Sequence, residues 1–146
     1  MPHQRHDTIF RRILVGYDGS KHSEHAVSVA LNLAHCCDAK LLVFAVARPP
    51  EPATRVEVEA MLDDAREHFE ESFKNIQERA KEEDVEIETA IVVGHPTEQI
   101  IHRAETDNVD LVVLGHRGVS QFKLFKIGST SDKVLRHAHC PVMIVR

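Results

Sequence analysis

Three features are missing from this sequence, and each excludes a class of protein. No apolar run approaches the ~20 residues of a membrane-spanning helix. The formal net charge is -5 and no block of like charges forms a basic arm, which argues against a duplex nucleic-acid binder. The only cysteines, Cys36, Cys37 and Cys140, do not form the framework of a disulfide-rich domain. We therefore expect no membrane and no nucleic-acid partner.

The N-terminal segment MPHQRHDTIFRR is polar and lacks the apolar stretch and cleavage site of a signal peptide. The default prediction is a cytoplasmic protein. We expect residues 1–9 to be a flexible leader and residues 10–146 to form one domain, since a chain of 146 residues suits a single hydrophobic core.

The order of apolar segments predicts five strands alternating with helices. The strands are expected near residues 13–15, 41–46, 85–94, 110–115 and 141–145, and a long amphipathic helix near 53–83. The strand at 41–46 is apolar on both faces, as in a parallel sheet covered on both sides by helices. Such alternation predicts an α/β fold, a single doubly wound domain with helices on both faces of a parallel sheet.

The segment after the fourth predicted strand is rich in glycine, cations and hydroxyls. Gly115 and Gly118 follow that strand, where ligands bind in doubly wound folds and where glycines let a ligand approach the backbone. Gly128, Ser129 and Thr130 open the last helix, whose free N–H groups form an anion site. Arg117, Lys123 and Lys126 add positive charge. This pattern favours a phosphate site over ordinary turns and a plain helix start.

Asp18 lies in a second turn, Gly16-Tyr17-Asp18-Gly19-Ser20, directly after the first strand. Its carboxylate can accept hydrogen bonds from a ribose or help to hold a phosphate-bound Mg²⁺. It can equally be part of an Asp-Gly turn that caps the next helix. The residues alone leave both alternatives open.

Taken together, these residues resemble the universal stress protein family (UspA-like), in its nucleotide-binding branch, over nearly the whole chain. The spacing Gly-x2-Gly-x9-Gly-Ser from Gly115 to Ser129 carries the resemblance, together with ILVGYDGS and PVMIVR at the two ends of the domain. The resemblance implies an adenine nucleotide alpha-hydrolase-like (Rossmann-like) fold with a five-stranded parallel sheet of order 3-2-1-4-5. It also implies an adenine nucleotide, ATP or else ADP or AMP, with or without Mg²⁺ near Asp18.

The resemblance also assigns roles to individual residues. Asp18 would lie near the ribose and Leu41 against the adenine, while Gly118 and Gly128 would border the phosphates. The full set that it implies is Gly16, Tyr17, Asp18, Leu41, Leu114, Gly115, His116, Arg117, Gly118, Gly128, Ser129 and Thr130. His116 stands where relatives often have serine, and its imidazole can also donate to a phosphate. Tyr17 is large for a position near the base, where it can stack or obstruct.

No catalytic machinery accompanies this motif. The chain has neither a P-loop nor the dinucleotide fingerprint after the first strand, and no carboxylate pair offers a base and a metal ligand. The histidines and cysteine of 137–140 are spaced too closely for a zinc site. We therefore expect a stress-response sensor or regulatory module with at most slow ATP hydrolysis. The alternative is a protein-interaction module of the same fold that binds no nucleotide.

The family order would place the last strand at an edge of the sheet. An apolar edge strand left open is prone to aggregation, and pairing with the same strand of a second chain removes that edge. A homodimer through the C-terminal strand is therefore expected, as the resemblance also implies.

Overall fold

The computed structural model describes residues 9–117 and 127–146. Its sheet has five parallel strands in the order β3-β2-β1-β4-β5. The strands are β1 (Arg12–Gly16), β2 (Lys40–Ala47), β3 (Ile87–Val93), β4 (Leu111–Gly115) and β5 (Val142–Val145). The predicted fold class, strand number and strand order are confirmed. Of the predicted leader, residues 1–8 lie outside the described part of the chain.

The helices of the described ranges cover both faces of the sheet. They are α1 (Lys21–Cys37), α2 (Arg55–Glu82), α3 (Pro96–Thr106) and α4 (Ser129–His137). Ile13 and Val15 of β1 pack in one cluster with residues of α1 and α2, whereas Leu14 packs in another with residues of α3 and α4. Each strand residue faces the sheet side opposite to its neighbour. The central strands are therefore apolar throughout, as expected for a sheet buried on both sides.

Ser20 provides the cap that starts α1. Its side chain accepts a hydrogen bond from the backbone N–H of Ser23 at 3.2 Å, which satisfies one of the N–H groups left free at the helix start.

The strand order reverses direction at β1. The chain passes from β1 to β2 on one side of it and later reaches β4 on the other side. The connections leave opposite faces, so a crevice opens outside the carboxyl ends of β1 and β4. β1 is also short at this end: Gly16 pairs with Phe44, and β2 continues for three residues to Ala47. The end of β2 therefore overhangs the crevice.

No helix within the described ranges is both long enough and apolar enough to cross a membrane.

Candidate functional site

A cavity of about 370 Å³ opens at the carboxyl ends of β1, β2 and β4. It is lined by most of the residues that the sequence predicts for a nucleotide site, namely Gly16, Tyr17, Asp18, Leu114, Gly115, Arg117, Gly128, Ser129 and Thr130. The other lining residues are Phe44, Val46, Arg48, Pro96, Ile100 and Ser131. A more open groove of about 810 Å³ runs between α2 and β3 but contains none of the predicted residues. The smaller cavity is therefore the candidate site.

The overhanging end of β2 presents main-chain polar groups to this cavity. The C=O of Phe44 accepts from the N–H of Tyr17 at 2.9 Å, and the C=O of Ala47 accepts from the N–H of Gly94, at the end of β3, at 2.9 Å. Successive residues of a strand direct their N–H and C=O groups to opposite neighbours. The N–H and C=O of Val46 therefore point to the β1 side, beyond the point where β1 has ended.

The start of α4 forms the opposite end of the cavity. Gly128 is the N-cap of α4 and makes no side-chain cap hydrogen bond, and the first intrahelical bond runs from the N–H of Asp132 to the C=O of Gly128 at 2.9 Å. The N–H groups of Ser129, Thr130 and Ser131 consequently have no intrahelical partner. These amides and the positive end of the helix dipole make this end suited to an anion.

Gly128 itself does not offer its amide to a ligand. Its N–H donates to the C=O of His116 at 2.7 Å, and the hydroxyl of Ser131 donates to the C=O of Gly115 at 2.7 Å. Ser131 is buried. These two bonds attach the start of α4 to the end of β4. The donors left for an anion are thus the next amides along α4 and the hydroxyls of Ser129 and Thr130.

Gly115 is required by the approach of α1. A Cβ built on Gly115 would lie 2.7 Å from the carbonyl carbon of His22, 2.8 Å from its Cβ and 2.9 Å from its carbonyl oxygen. Real Cβ atoms essentially never come so close to backbone. The sequence suggested that this glycine makes room for a ligand, but the described contacts show that it makes room for α1.

Arg117 brings positive charge to the same end of the cavity, where its side chain is buried. The hydroxyl of Ser20 donates to the C=O of Arg117 at 3.5 Å, so the turn after β1 touches the segment after β4. Gly118, Lys123 and Lys126, which the sequence also assigns to this end, lie outside the described residues.

Asp18 borders the cavity and also shapes the turn that carries it. Its Oδ1 accepts from the N–H of Ser20 at 2.9 Å, a local bond typical of aspartate in turns. The helix cap is Ser20 rather than Asp18. Of the two alternatives for this carboxylate, the capping role is thus excluded. Its contact with a ribose or with a phosphate-bound Mg²⁺ stays a prediction. No three His, Cys, Asp or Glu side chains of the described ranges converge on a possible metal position.

The ring of Tyr17 belongs to the core rather than to the cavity. Its centroid lies 5.7 Å from that of Phe69 and 5.9 Å from that of Phe73, and its hydroxyl donates to the carboxylate of Glu24. Burial, reinforced by that carboxylate, raises the pKa of Tyr17 to about 12. The ring is therefore packed in the core, although the residue also borders the cavity.

Two predicted residues of the described ranges do not line the cavity. Leu41 pairs with Ile13 near the amino end of β2 and borders a different recess. A strand rises ~3.3 Å per residue, so Leu41 is about 16 Å from Val46 along the strand. The assignment of Leu41 to the adenine is therefore not supported, and the β2 residues that line the cavity are Phe44 and Val46. Because ligands bind at the carboxyl ends of such strands, the position of Leu41 at the beginning of its strand already argued against it.

The imidazole of His116 also lies away from the cavity lining, with its ring centroid 6.0 Å from that of His22. Only its backbone serves the site: the N–H donates to the C=O of Val145 at 2.6 Å, and the C=O receives the bond from Gly128. The donation of the His116 side chain to a phosphate stays a prediction that this placement does not support. The residue instead joins β4, β5 and α4 through its peptide groups.

The surroundings of His116 predict a loss of stability in acid. Burial, followed by the positive charges of Arg146 and Arg117 and by His22, lowers the pKa of His116 below 6.5. Because the unfolded chain then binds a proton more readily than the folded one, the free energy of unfolding falls as the pH drops through about 6.5. We therefore expect the free energy of unfolding, measured with urea, to differ less between pH 8 and pH 5.5 for His116→Gln than for the natural chain.

The matched control for this measurement is His102→Gln, which removes an exposed histidine from α3. It should leave the difference between the two pH values unchanged. If the free energy of unfolding changes equally between the two pH values in the natural chain and in His116→Gln, His116 is not the source of the loss of stability in acid.

Comparison with known proteins agrees with this architecture. The family model described as "Universal stress protein family" matches residues 9–146. The chain is 34% identical over 148 residues to universal stress protein YxiE of Bacillus subtilis, with 94% of this chain and 100% of that protein covered. Among solved structures, UspA from Lactobacillus plantarum superposes with a TM-score of 0.85 at 27% identity, covering 94% of this chain and 98% of that one. A universal stress protein in complex with cAMP superposes with a TM-score of 0.67 at 28% identity, covering 94% and 97%. The chain belongs to the universal stress protein family.

Proposed function

We propose that this chain binds an adenine nucleotide, ATP or else ADP or AMP, and acts as a stress-response sensor or regulatory module. One observation carries the proposal: the peptide groups of Val46 and the start of α4 face the same cavity from opposite ends. One end is suited to the edge of a base, and the other is suited to phosphate.

The base end has the polarity that adenine requires. The Watson–Crick edge of adenine carries an acceptor, N1, beside a donor, the N6 amino group, and Val46 offers one N–H and one C=O. The nearby lining residues Phe44, Ile100 and Leu114 are apolar and buried, as in most sites that bind flat aromatic ligands. A base bound there would form hydrogen bonds with the N–H and C=O of Val46, which β1 is too short to reach.

The phosphate end offers amides, hydroxyls and one buried guanidinium. Amides at a helix start are a common phosphate site because the dipole and the free N–H groups act together. The hydroxyls of Ser129 and Thr130 are further donors, and Arg117 supplies charge. Asp18, between the two ends, is placed for a ribose or for a Mg²⁺ carried by the phosphates.

A relative supports the choice of nucleotide class. The universal stress protein solved with cAMP shares 28% identity with this chain over nearly its whole length. Since cAMP is an adenine nucleotide, the same class of ligand is the natural proposal here.

The described part of the cavity favours binding over rapid turnover. Among the lining residues that the structure describes, Asp18 is the single carboxylate. Asp132, in the first turn of α4, lies outside the lining and pairs with Arg136 at 3.2 Å. Fast hydrolysis would need a further group to orient the attacking water. We propose that any ATP hydrolysis is slow.

We also propose that the protein forms a homodimer through β5. Its residues Val142, Met143 and Ile144 are half-buried at an open edge of the sheet, and pairing with a second copy would remove that edge.

The test is calorimetric titration with ATP in the presence of Mg²⁺. The natural chain should bind in the micromolar range. The double variant Ser129→Ala, Thr130→Ala should bind about 100-fold or more weakly, because each of the two hydroxyl bonds to a charged phosphate contributes about 1.5 kcal/mol or more. Thr106→Ala is the control, because that hydroxyl bonds the C=O of His102 in α3 and does not line the cavity.

Failure of the natural chain to bind ATP, ADP or AMP would refute the proposal. The interaction module without nucleotide would then be the better description of this protein.

A further inference from the structure

Arg48 is an exposed cation beside the base end of the cavity, and the sequence pattern did not single it out. It directly follows the last residue of β2 and borders the cavity together with Val46 and Pro96. Within the described ranges its guanidinium forms no hydrogen bond or ion pair. A cation left unpaired at the rim of a binding site is available to a ligand.

The nearest carboxylate along the chain is engaged elsewhere. Glu51 pairs with the imidazole of His95, the N-cap of α3. This pair holds the segment after β2 against the start of α3, and Pro96 at that start also borders the cavity. Arg48 is therefore carried on a segment attached at both ends, between β2 and the Glu51–His95 pair.

The position of Arg48 directly after β2 assigns it to the base rather than to the phosphates. Phe44, Val46 and Arg48 follow one another at the two-residue period that keeps strand residues on one side. The start of α4 and Arg117 are on the side of β4, and β1 lies between β2 and β4. Two strand spacings amount to about 10 Å. An adenine whose edge meets Val46 has Arg48 beside its ring.

We propose that Arg48 stacks its guanidinium on the face of the bound base and so determines affinity for the nucleoside part of the ligand. This inference rests on the proposed function. The guanidinium is planar and weakly hydrated, and it packs on aromatic faces, whereas a lysine ammonium does not match the shape of a base. Phe44, Val46, Ile100 and Leu114 supply the apolar side of the site, and Arg48 closes it on the solvent side.

The test compares adenosine, which has no phosphate, with ATP. Arg48→Met should weaken binding of both ligands by the same factor, about 2- to 30-fold, as measured by displacement of a fluorescent ATP analogue. Arg48→Lys, which keeps the charge, should lose as much affinity for adenosine as Arg48→Met does. Raising the salt concentration should not change the effect on adenosine, since the ligand is uncharged.

The control is Arg55→Met, which removes the same charge from an exposed residue of α2 that pairs with Glu59 at 3.5 Å and does not line the cavity. Its affinities for both ligands should equal those of the natural chain.

Each contrary result has its own meaning. A loss for ATP alone that Arg48→Lys restores would make Arg48 a phosphate contact and would overturn the stacking proposal. No loss for either ligand, or no adenosine binding by a natural chain that does bind ATP, would overturn it as well, and the proposed function would stand. A natural chain that binds neither ligand would refute both.

Discussion

Gly115→Ala is expected to destabilise the protein by about 2–3 kcal/mol, as overpacking of a closely packed interior does. The added Cβ would meet the backbone of His22 at 2.7 Å and 2.9 Å. Helix backbone cannot rotate out of the way as a side chain can, so α1 must move away from β4. The free energy of unfolding from urea titration, with an unchanged slope against urea concentration, measures the loss.

Gly16→Ala is the matched control, because it adds the same methyl group to the neighbouring strand. There the added Cβ would meet the end of the Leu114 side chain at 2.5 Å. Leu114 borders the cavity and can turn into it. This variant should lose less than about 1 kcal/mol of stability, partly because glycine itself weakens a strand. Equal losses for the two variants would mean that the approach of α1 does not explain Gly115.

Val46→Pro is expected to weaken ATP binding about tenfold or more while the fold persists. Proline removes the N–H that we assign to N1 of adenine, and leaving a buried hydrogen-bonding partner unsatisfied costs about 1–3 kcal/mol. The sheet tolerates proline where the N–H makes no ladder bond, and the N–H of Val46 points past the end of β1. Calorimetry gives the affinity, and circular dichroism with thermal unfolding verifies the fold.

Two further variants separate the main chain from the side chain. Val46→Ala keeps the N–H and should lose much less affinity than Val46→Pro. Ala45→Pro removes an N–H that faces β3, where Ala45 pairs with Ile91, and should destabilise the whole protein. A folded Val46→Pro variant with natural ATP affinity would place the base elsewhere.

The glycine spacing shows how far a motif predicts a site. The motif residues within the described ranges do gather around one cavity, so the position of the candidate site was predictable. The structural role of each motif residue was less predictable. Gly115 accommodates α1, Gly128 uses its N–H to bond His116, and the side chain of His116 faces His22. A spacing in the chain does not specify which neighbour will occupy the space beside each residue.

The residues of the base end were the hardest to predict. Leu41 and Val46 are both apolar residues of one strand, and their types do not distinguish the two. The difference is that Leu41 pairs within the sheet, whereas β1 ends before it reaches Val46. Arg48 has an ordinary sequence context after a strand, and only its neighbours Val46 and Pro96 place it at the cavity.

The sequence by itself determined the layers and the family of this protein. The alternation of apolar strands and amphipathic helices is a local property, since each element must bury its own apolar surface, and it predicted the doubly wound sheet. The tertiary structure decided what the site residues contact. It ended β1 three residues before β2, turned Tyr17 into the core and brought α1 against Gly115. These outcomes depend on contacts between residues far apart in the chain, which no local pattern specifies.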